Sequence, residues 1–316
     1  MDAASQAHET ALGSRLMRAM RLAARHGRLL LVLGLLAGFT LPDLAAAMKP
    51  ALPAMVAFLV FISALRIGAR AALGNLQQAR GSLGLAVILQ LAVPLVLIGA
   101  LTLAGWQNTP AALALILVLS APAISGSPAF TAMLGHDPAP AMRLLILGTV
   151  LLPLTVLPIF WLTPAFGDAT AVILAALRLT AVLALAIGAA FALRRQVFPS
   201  PAPDTIKALD GLAALTLAII VIALMSAVGP TLRTAPGSLL GWLALAFAIN
   251  FGMQIAARCF GASVPASIIA GNRNIALFLV ALPATITDPI LIFIGCYQVP
   301  MYLTPILMQR FYGPAA

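Results

Sequence analysis

IIAGNRNIAL, residues 268–277, is the stretch on which the reading of the fold turns. An apolar run of helical quality stops at Gly271, Asn272, Arg273 and Asn274, then resumes as IALFLVAL. Elsewhere the chain avoids charge: 62% of its 316 residues are hydrophobic and 8% charged, with a mean hydropathy of +1.09. Soluble chains carry roughly 25% charged residues. A bilayer-spanning helix takes about 20 apolar residues, so this composition is material for roughly ten spans. An arginine inside one of them therefore needs a reason.

Apolar runs separated by Pro, Gly and charge predict spans over 29–47, 51–67, 83–104, 110–134, 141–163, 170–193, 208–228, 237–257, 262–282 and 289–309. With the N-terminus inside, the cytoplasmic side receives Arg15, Arg18, Arg21, Arg25, Arg28, Arg66, Arg70, Arg80, Arg143, Arg194, Arg195, Lys207, Arg258 and Arg310. Only Lys49 and Arg233 fall outside, and the positive-inside bias places both termini in the cytoplasm. The formal charge of +10 is thus spread over short connections rather than gathered on one basic domain, which argues against nucleic acid as a partner. The arginines before LLLVLGLLAGFTL, with LAAAM (44–48) behind it, also fit a cleaved signal peptide. The repeat described next needs this helix as a span.

The two halves resemble each other. SGSP (125–128) breaks the fourth span and is followed by a span carrying Pro153 and Pro158; AGNRN (270–274) breaks the ninth and is followed by one carrying Pro300 and Pro305. Five spans per half is an odd number, so the halves are inverted relative to each other. Paired Gly/Pro-interrupted helices in such repeats point to a transporter's midplane site. The expected fold is an all-α integral membrane protein of ten transmembrane helices in two inverted five-helix repeats, with helices 4 and 9 broken and crossing. Residues 1–28 form a cytoplasmic segment, 29–164 the first repeat, 168–310 the second and 311–316 a cytoplasmic tail.

Non-helical backbone at membrane depth survives only inside protein or against a wet cavity. Pro122, Gly126, Pro128 and Gly271 are the predicted helix-breaking residues. Ser127 then Pro128 reads as N-cap and N1 of a second half-helix whose positive end faces the site, with Ser120 and Ser125 adding hydroxyls. A pair of plain proline kinks is the alternative. Arg273 is the sharper signal, because a charge at the bilayer centre costs about 2.5–3.5 kcal/mol on insertion scales. None of the eight acids falls at its depth: Asp43, Asp168 and Asp288 are predicted outside, and Asp2, Glu9, Asp137, Asp204 and Asp210 inside. Its acceptors are then backbone carbonyls, an anionic ligand, or polar side chains. Asn272 and Asn274 flank it, Asn250 and Gln254 share a face of the eighth span at i, i+4, and Gln90 lies in the third. A substrate role and a structural clamp on the break both remain open.

Other features read as structural. Arg178 lies early in the sixth span and snorkels to the interface. His136 and Asp137 form a solvated turn, and Gly34 and Gly38 make a GxxxG packing pair. Cys259 and Cys296 are small core residues, fitting neither a zinc site nor a disulfide framework. There is no HExxH, CxxC or GxxxxGK and the only lysines are Lys49 and Lys207, so neither an enzyme, nor a cofactor, nor a bound metal is expected.

The sequence resembles the bile acid:sodium symporter family, within the wider group of arsenite and auxin-efflux-type carriers. The likeness runs over about 29–310 and rests on LLAGFTLPDLAAAMKPALP, FLVFISALRIG, QLAVP at 90–94, APAISGSPAFTAML and GNRNIALFLVA in that order. It implies a panel domain (spans 1, 2, 6 and 7), a core domain (spans 3–5 and 8–10) and an organic anion bound between them. The family's sodium-binding members carry an acidic residue where this chain has Ile269 and a glutamine where it has Arg273. Pro128 replaces an asparagine of theirs, and Met142 and Ile146 fall on hydroxyl positions. Of those cation ligands Gln90, Ser127 and Asn274 remain, with Gln254 nearby. A hard cation wants several oxygens with a carboxylate among them, so family-type sodium coupling is not expected; the guanidinium of Arg273 would stand where the sodium does.

The resulting expectation is an inner-membrane secondary transporter of a small organic anion. Arg273, Asn274, Asn272, Ser125, Ser127 and Asn250 are its candidate substrate residues; Gln90, Ser127, Asn274 and Gln254 are the remnant of an ion site. Alternatives are a sodium-independent uniporter, exchanger or proton-coupled carrier of another small solute, and a transport-inactive sensor or subunit. A homo-oligomer stays open.

Overall fold

The computed structural model describes residues 15–68, 76–197 and 199–313, and is all-helical. Asp2, Glu9, Arg70 and the tail beyond residue 313 lie outside the described residues. Seven helices are long and apolar enough to cross a membrane: Pro42–Ile67, Arg80–Leu103, Ala139–Leu162, Ala169–Val197, Pro203–Thr234, Pro236–Cys259 and Ala284–Leu307. They coincide with the second, third, fifth, sixth, seventh, eighth and tenth expected segments. The other three are interrupted. The first is the 14-residue helix Gly27–Thr40, the fourth divides into Pro110–Ser120 and Ser127–Met133, and the ninth into Val264–Gly271 and the 3₁₀ segment Ile275–Val280.

Proline placement explains two departures from the expected boundaries. The residue before a proline is pushed out of the α region, and Leu41, at φ −117° and ψ 67°, ends the first helix. Pro42 opens the next one. The chain around Lys49 and Pro50 forms a 3₁₀ turn inside this helical run rather than a loop, so the second segment starts at 42, not 51.

The helices pack in two groups, joined where Ala139–Leu162 meets Ala169–Val197 and where Ile275–Val280 meets Leu52–Ile67. Gly27–Thr40 and Leu52–Ile67 pack on Pro203–Leu224, and Ala169–Val197 packs on Leu52–Ile67. In the other group Ala139–Leu162 contacts the third segment and both broken ones, and Pro236–Cys259 lies along Val264–Gly271 and Leu291–Leu307. Backbone approaches through glycine knit the first group: a Cβ on Gly34 would lie 2.7 Å from the Ala218 carbonyl oxygen, and one on Gly38 2.8 Å from that of Ile222. At one end of this group Arg194 donates to the carbonyls of Leu65 and Arg66, both at 2.6 Å, closing the last turn of Leu52–Ile67. Arg66 pairs with Asp210 beside it. Between the groups run Gly295, which a Cβ would bring 2.8 Å from the Leu224 carbonyl oxygen, and the ion pair Lys49–Asp288 at 2.8 Å.

Candidate functional site

The two unwound stretches cross and pair. Ile124 N donates to the Asn272 carbonyl at 3.0 Å and Asn274 N to that of Pro122 at 2.8 Å, an antiparallel bridge centred on Ala123 and Arg273. A break in one helix thereby supplies the backbone partners that the other has lost, which non-helical chain at membrane depth requires.

Arg273 is 2% exposed and reaches from this bridge into the first half of the chain. One terminal nitrogen donates to the Leu89 carbonyl at 2.5 Å and to the Leu119 carbonyl at 2.7 Å. Both acceptors are free for identifiable reasons. At Leu89 the third segment widens into a π-turn, Ile88–Ala92, and Val93 N bonds back to Ile88 rather than to Leu89. Pro94 follows with no N–H to offer. Leu119 sits in the last turn of Pro110–Ser120, whose terminal carbonyls have no helical donor and carry the negative end of its dipole. Among the described residues no carboxylate pairs with the arginine. The charge inside IIAGNRNIAL is therefore held by backbone oxygens of the third and fourth segments, and its Nε remains buried and unpartnered.

The ninth break is held differently. The Gly271 carbonyl accepts from Asn250 Nδ2 at 2.5 Å and from the Tyr297 hydroxyl. Asn272 Nδ2 donates to Ile268 O at 2.8 Å, while its Oδ1 accepts from Thr304 Oγ1 at 3.1 Å. Gln254 Nε2 bonds Asn250 Oδ1 at 2.8 Å, as their i, i+4 spacing predicts, and its Oε1 accepts from Tyr312 at 2.9 Å. Asn250, Gln254 and Asn272 are each 0% exposed. Their polar atoms brace the break against the eighth and tenth segments. Gly271 permits the arrangement: a Cβ there would lie 2.0 Å from the Asn250 carbonyl oxygen.

Where the two helix groups meet, a cavity of about 20 Å³ opens beside the crossing. That is room for about one water. Val56, Leu59, Leu217, Ile220 and Leu224 wall it from the first group; Arg273, Asn274, Gln298, Ile124 and Met301 face them. Among the candidate substrate residues, then, Arg273 and Asn274 line the cavity. Ser125 is half-buried in the unwound stretch. The Ser127 hydroxyl and Gln90 Oε1 are buried without hydrogen-bond partners, Gln90 lying over Gly148. Ile269, at the position of the family's acidic ligand, is buried.

Two expectations about the fourth break need correction. Gly126, not Ser127, is the N-cap; no side chain caps this helix, and Ser127 and Pro128 occupy its first turn. Gly126 itself has φ −77°, and a Cβ on it would make ordinary contact with Phe130 at 3.5 Å, so the break does not depend on a glycine there. Three residues escaped the sequence reading: Gln298 on the cavity wall, Tyr297 on the Gly271 carbonyl and Thr304 on Asn272. The available signal was their polarity inside the tenth apolar run, where polar groups are expensive. The sequence matches no protein-family model and no curated protein.

Proposed function

We propose that this chain is a divergent member of the bile acid:sodium symporter family and a secondary transporter of a small organic anion. It has ten helices in two inverted five-helix repeats, works by alternating access across an inner membrane with both termini in the cytoplasm, and needs no sodium. The observation that carries this reading is the cavity at the seam of the two helix groups. It has an apolar wall on one side, and a guanidinium and two amides on the other. Apolar walls with a few convergent polar groups are the ordinary make-up of a small-molecule site. At about 20 Å³ the cavity is too small for a substrate, so transport requires the groups to separate along the seam. Sodium independence is supported by the fixed cation at the crossing, which donates to the Leu89 and Leu119 carbonyls and is an arginine that does not deprotonate.

The test is thermal stability of the purified protein across a panel of organic anions, in sodium and in potassium buffer. A ligand at 100 times its dissociation constant adds about 2.7 kcal/mol. Stabilisation by an anion, equal in both salts, supports the proposal; stabilisation by sodium alone refutes its coupling claim.

The bonded guanidinium and the one-water cavity favour a second reading, a transport-inactive sensor or subunit. Counterflow in proteoliposomes with any anion found by the panel separates the two, since a sensor binds without flux.

A further inference from the structure

Ahead of the first span lies a second helix, Arg15–Arg25, which meets Leu29–Thr40 at 83°. A helix at a right angle to a spanning one runs along the membrane surface. Its sequence is RLMRAMRLAAR, with four arginines and no acid. At 100° per residue, positions 15, 18, 22 and 25 fall within about 80° of arc. That stripe reads Arg15, Arg18, Leu22, Arg25. All three arginines are exposed, and Leu22 is 56% exposed.

The opposite stripe, Met17, Met20 and Ala24, is half-buried. It is seated backbone to backbone, for a Cβ on Gly211 would lie 1.7 Å from the Met20 carbonyl oxygen. Arg21, at the edge, is tied to Asp204 at 2.5 Å. Asp210, the next acid on the helix underneath, is engaged by Arg66. The outward stripe therefore presents three arginines with no acid partner among the described residues, around a leucine that gains nothing from water. A surface-lying helix with a basic face and an apolar residue within it suits the headgroup boundary of an anionic leaflet. Guanidinium groups bind phosphate through paired N–H donors.

We propose that Arg15–Arg25 is a docking helix for anionic phospholipid, with Arg15, Arg18 and Arg25 on the headgroup phosphates and Leu22 at the acyl boundary. Through Gly211 and Asp204 the lipid contact would fix the seventh segment, and with it one wall of the cavity, relative to the bilayer surface. The inference does not depend on whether the chain transports anything.

Full-length protein in neutral detergent, titrated with phosphatidylglycerol, phosphatidylcholine or inorganic phosphate, tests it by thermal stability and by native mass spectrometry of bound lipid. Phosphatidylglycerol should bind and stabilise, phosphatidylcholine should not, and 0.5 M salt should weaken the effect. The triple variant R15Q/R18Q/R25Q should bind phosphatidylglycerol roughly a hundredfold more weakly. Its substitutions lie on the exposed stripe, so it should elute as folded protein. Arg21→Gln should lower basal stability while keeping the lipid response. An undiminished lipid response in the triple variant, or an equal response to phosphatidylcholine, overturns the proposal. Full stabilisation by inorganic phosphate alone also overturns it, in favour of a soluble-anion site.

Discussion

Replacing Arg273 by methionine removes the guanidinium donor to the Leu89 and Leu119 carbonyls while nearly keeping the side chain's length. A buried acceptor stripped of its donor costs roughly 1–3 kcal/mol, so two cost about 2–6. Relief from burying a charge works the other way, which leaves the lower half of that range, about 2–4 kcal/mol. At roughly 2 °C per kcal/mol for a chain of this size the melting temperature should fall by about 4–8 °C. The readout is fluorescence-detected size exclusion after heating in detergent. A second substitution tests the cause. Pro94→Ala restores an N–H at the position that the π register, i to i−5, sets opposite the Leu89 carbonyl. In the methionine background this should recover about half of the loss; in the wild type, where Arg273 already serves that carbonyl, it should bring no gain. Equal effects of Pro94→Ala in the two backgrounds, or a methionine variant as stable as wild type, would refute the account of Arg273 as a carbonyl clamp.

The glycines of the two breaks should respond oppositely to alanine. Gly271→Ala forces a Cβ onto the Asn250 carbonyl and should abolish a monodisperse elution peak, whereas Gly126→Ala should leave the melting temperature within about 1 °C, substitutions at unstrained sites being worth under about 0.5 kcal/mol. Tyr312→Phe deletes the donor to Gln254 Oε1 and should cost about 1 kcal/mol, visible as a shift of about 2 °C. The half-exposed pair Lys49–Asp288 bridges the two helix groups and is worth little in stability. Yet if the seam opens during transport, a short bis-methanethiosulfonate crosslinker joining K49C to D288C in a Cys259→Ser background, with methanesulfinate leaving at each thiol, should halt flux, and reduction should restore it. Unimpeded flux through the crosslinked protein would mean that the seam does not open at that end.

Much of the architecture was legible because lipid permits few solutions. Apolar run length located the seven long helices, and the paired interruptions SGSP and AGNRN located the two unwound stretches that pair. The i, i+4 spacing of Asn250 and Gln254 anticipated their bond. What the sequence concealed lies in long-range contacts. Nothing around Leu89 announces that a π-turn frees its carbonyl, because the donor it serves is 184 residues away. The same limit hid the roles of Tyr297 and Thr304, which are defined by the Gly271 carbonyl and by Asn272 rather than by their neighbours. Asn250 and Asn272, read as candidate ligand groups, are bonded to the Gly271 carbonyl and to Ile268 and Thr304, and local chemistry gives an amide's capacity but not its partner. The first boundary was misplaced for a local reason: Leu41–Pro42 outweighed the Lys49–Pro50 pair as a helix breaker.

The distance between Arg273 and its acceptors also dictates an order of manufacture. Leu119 is synthesised 154 residues before the arginine that serves it, and Leu89 184 residues before. At about 5–20 residues per second the ribosome takes roughly 8–40 s to cover that interval. Throughout it the third and fourth segments sit in the bilayer with oxygens that only the second half of the chain can engage. The amino-terminal half is thus an unfinished object, and a nascent chain stalled before the ninth segment should be a substrate for membrane quality control.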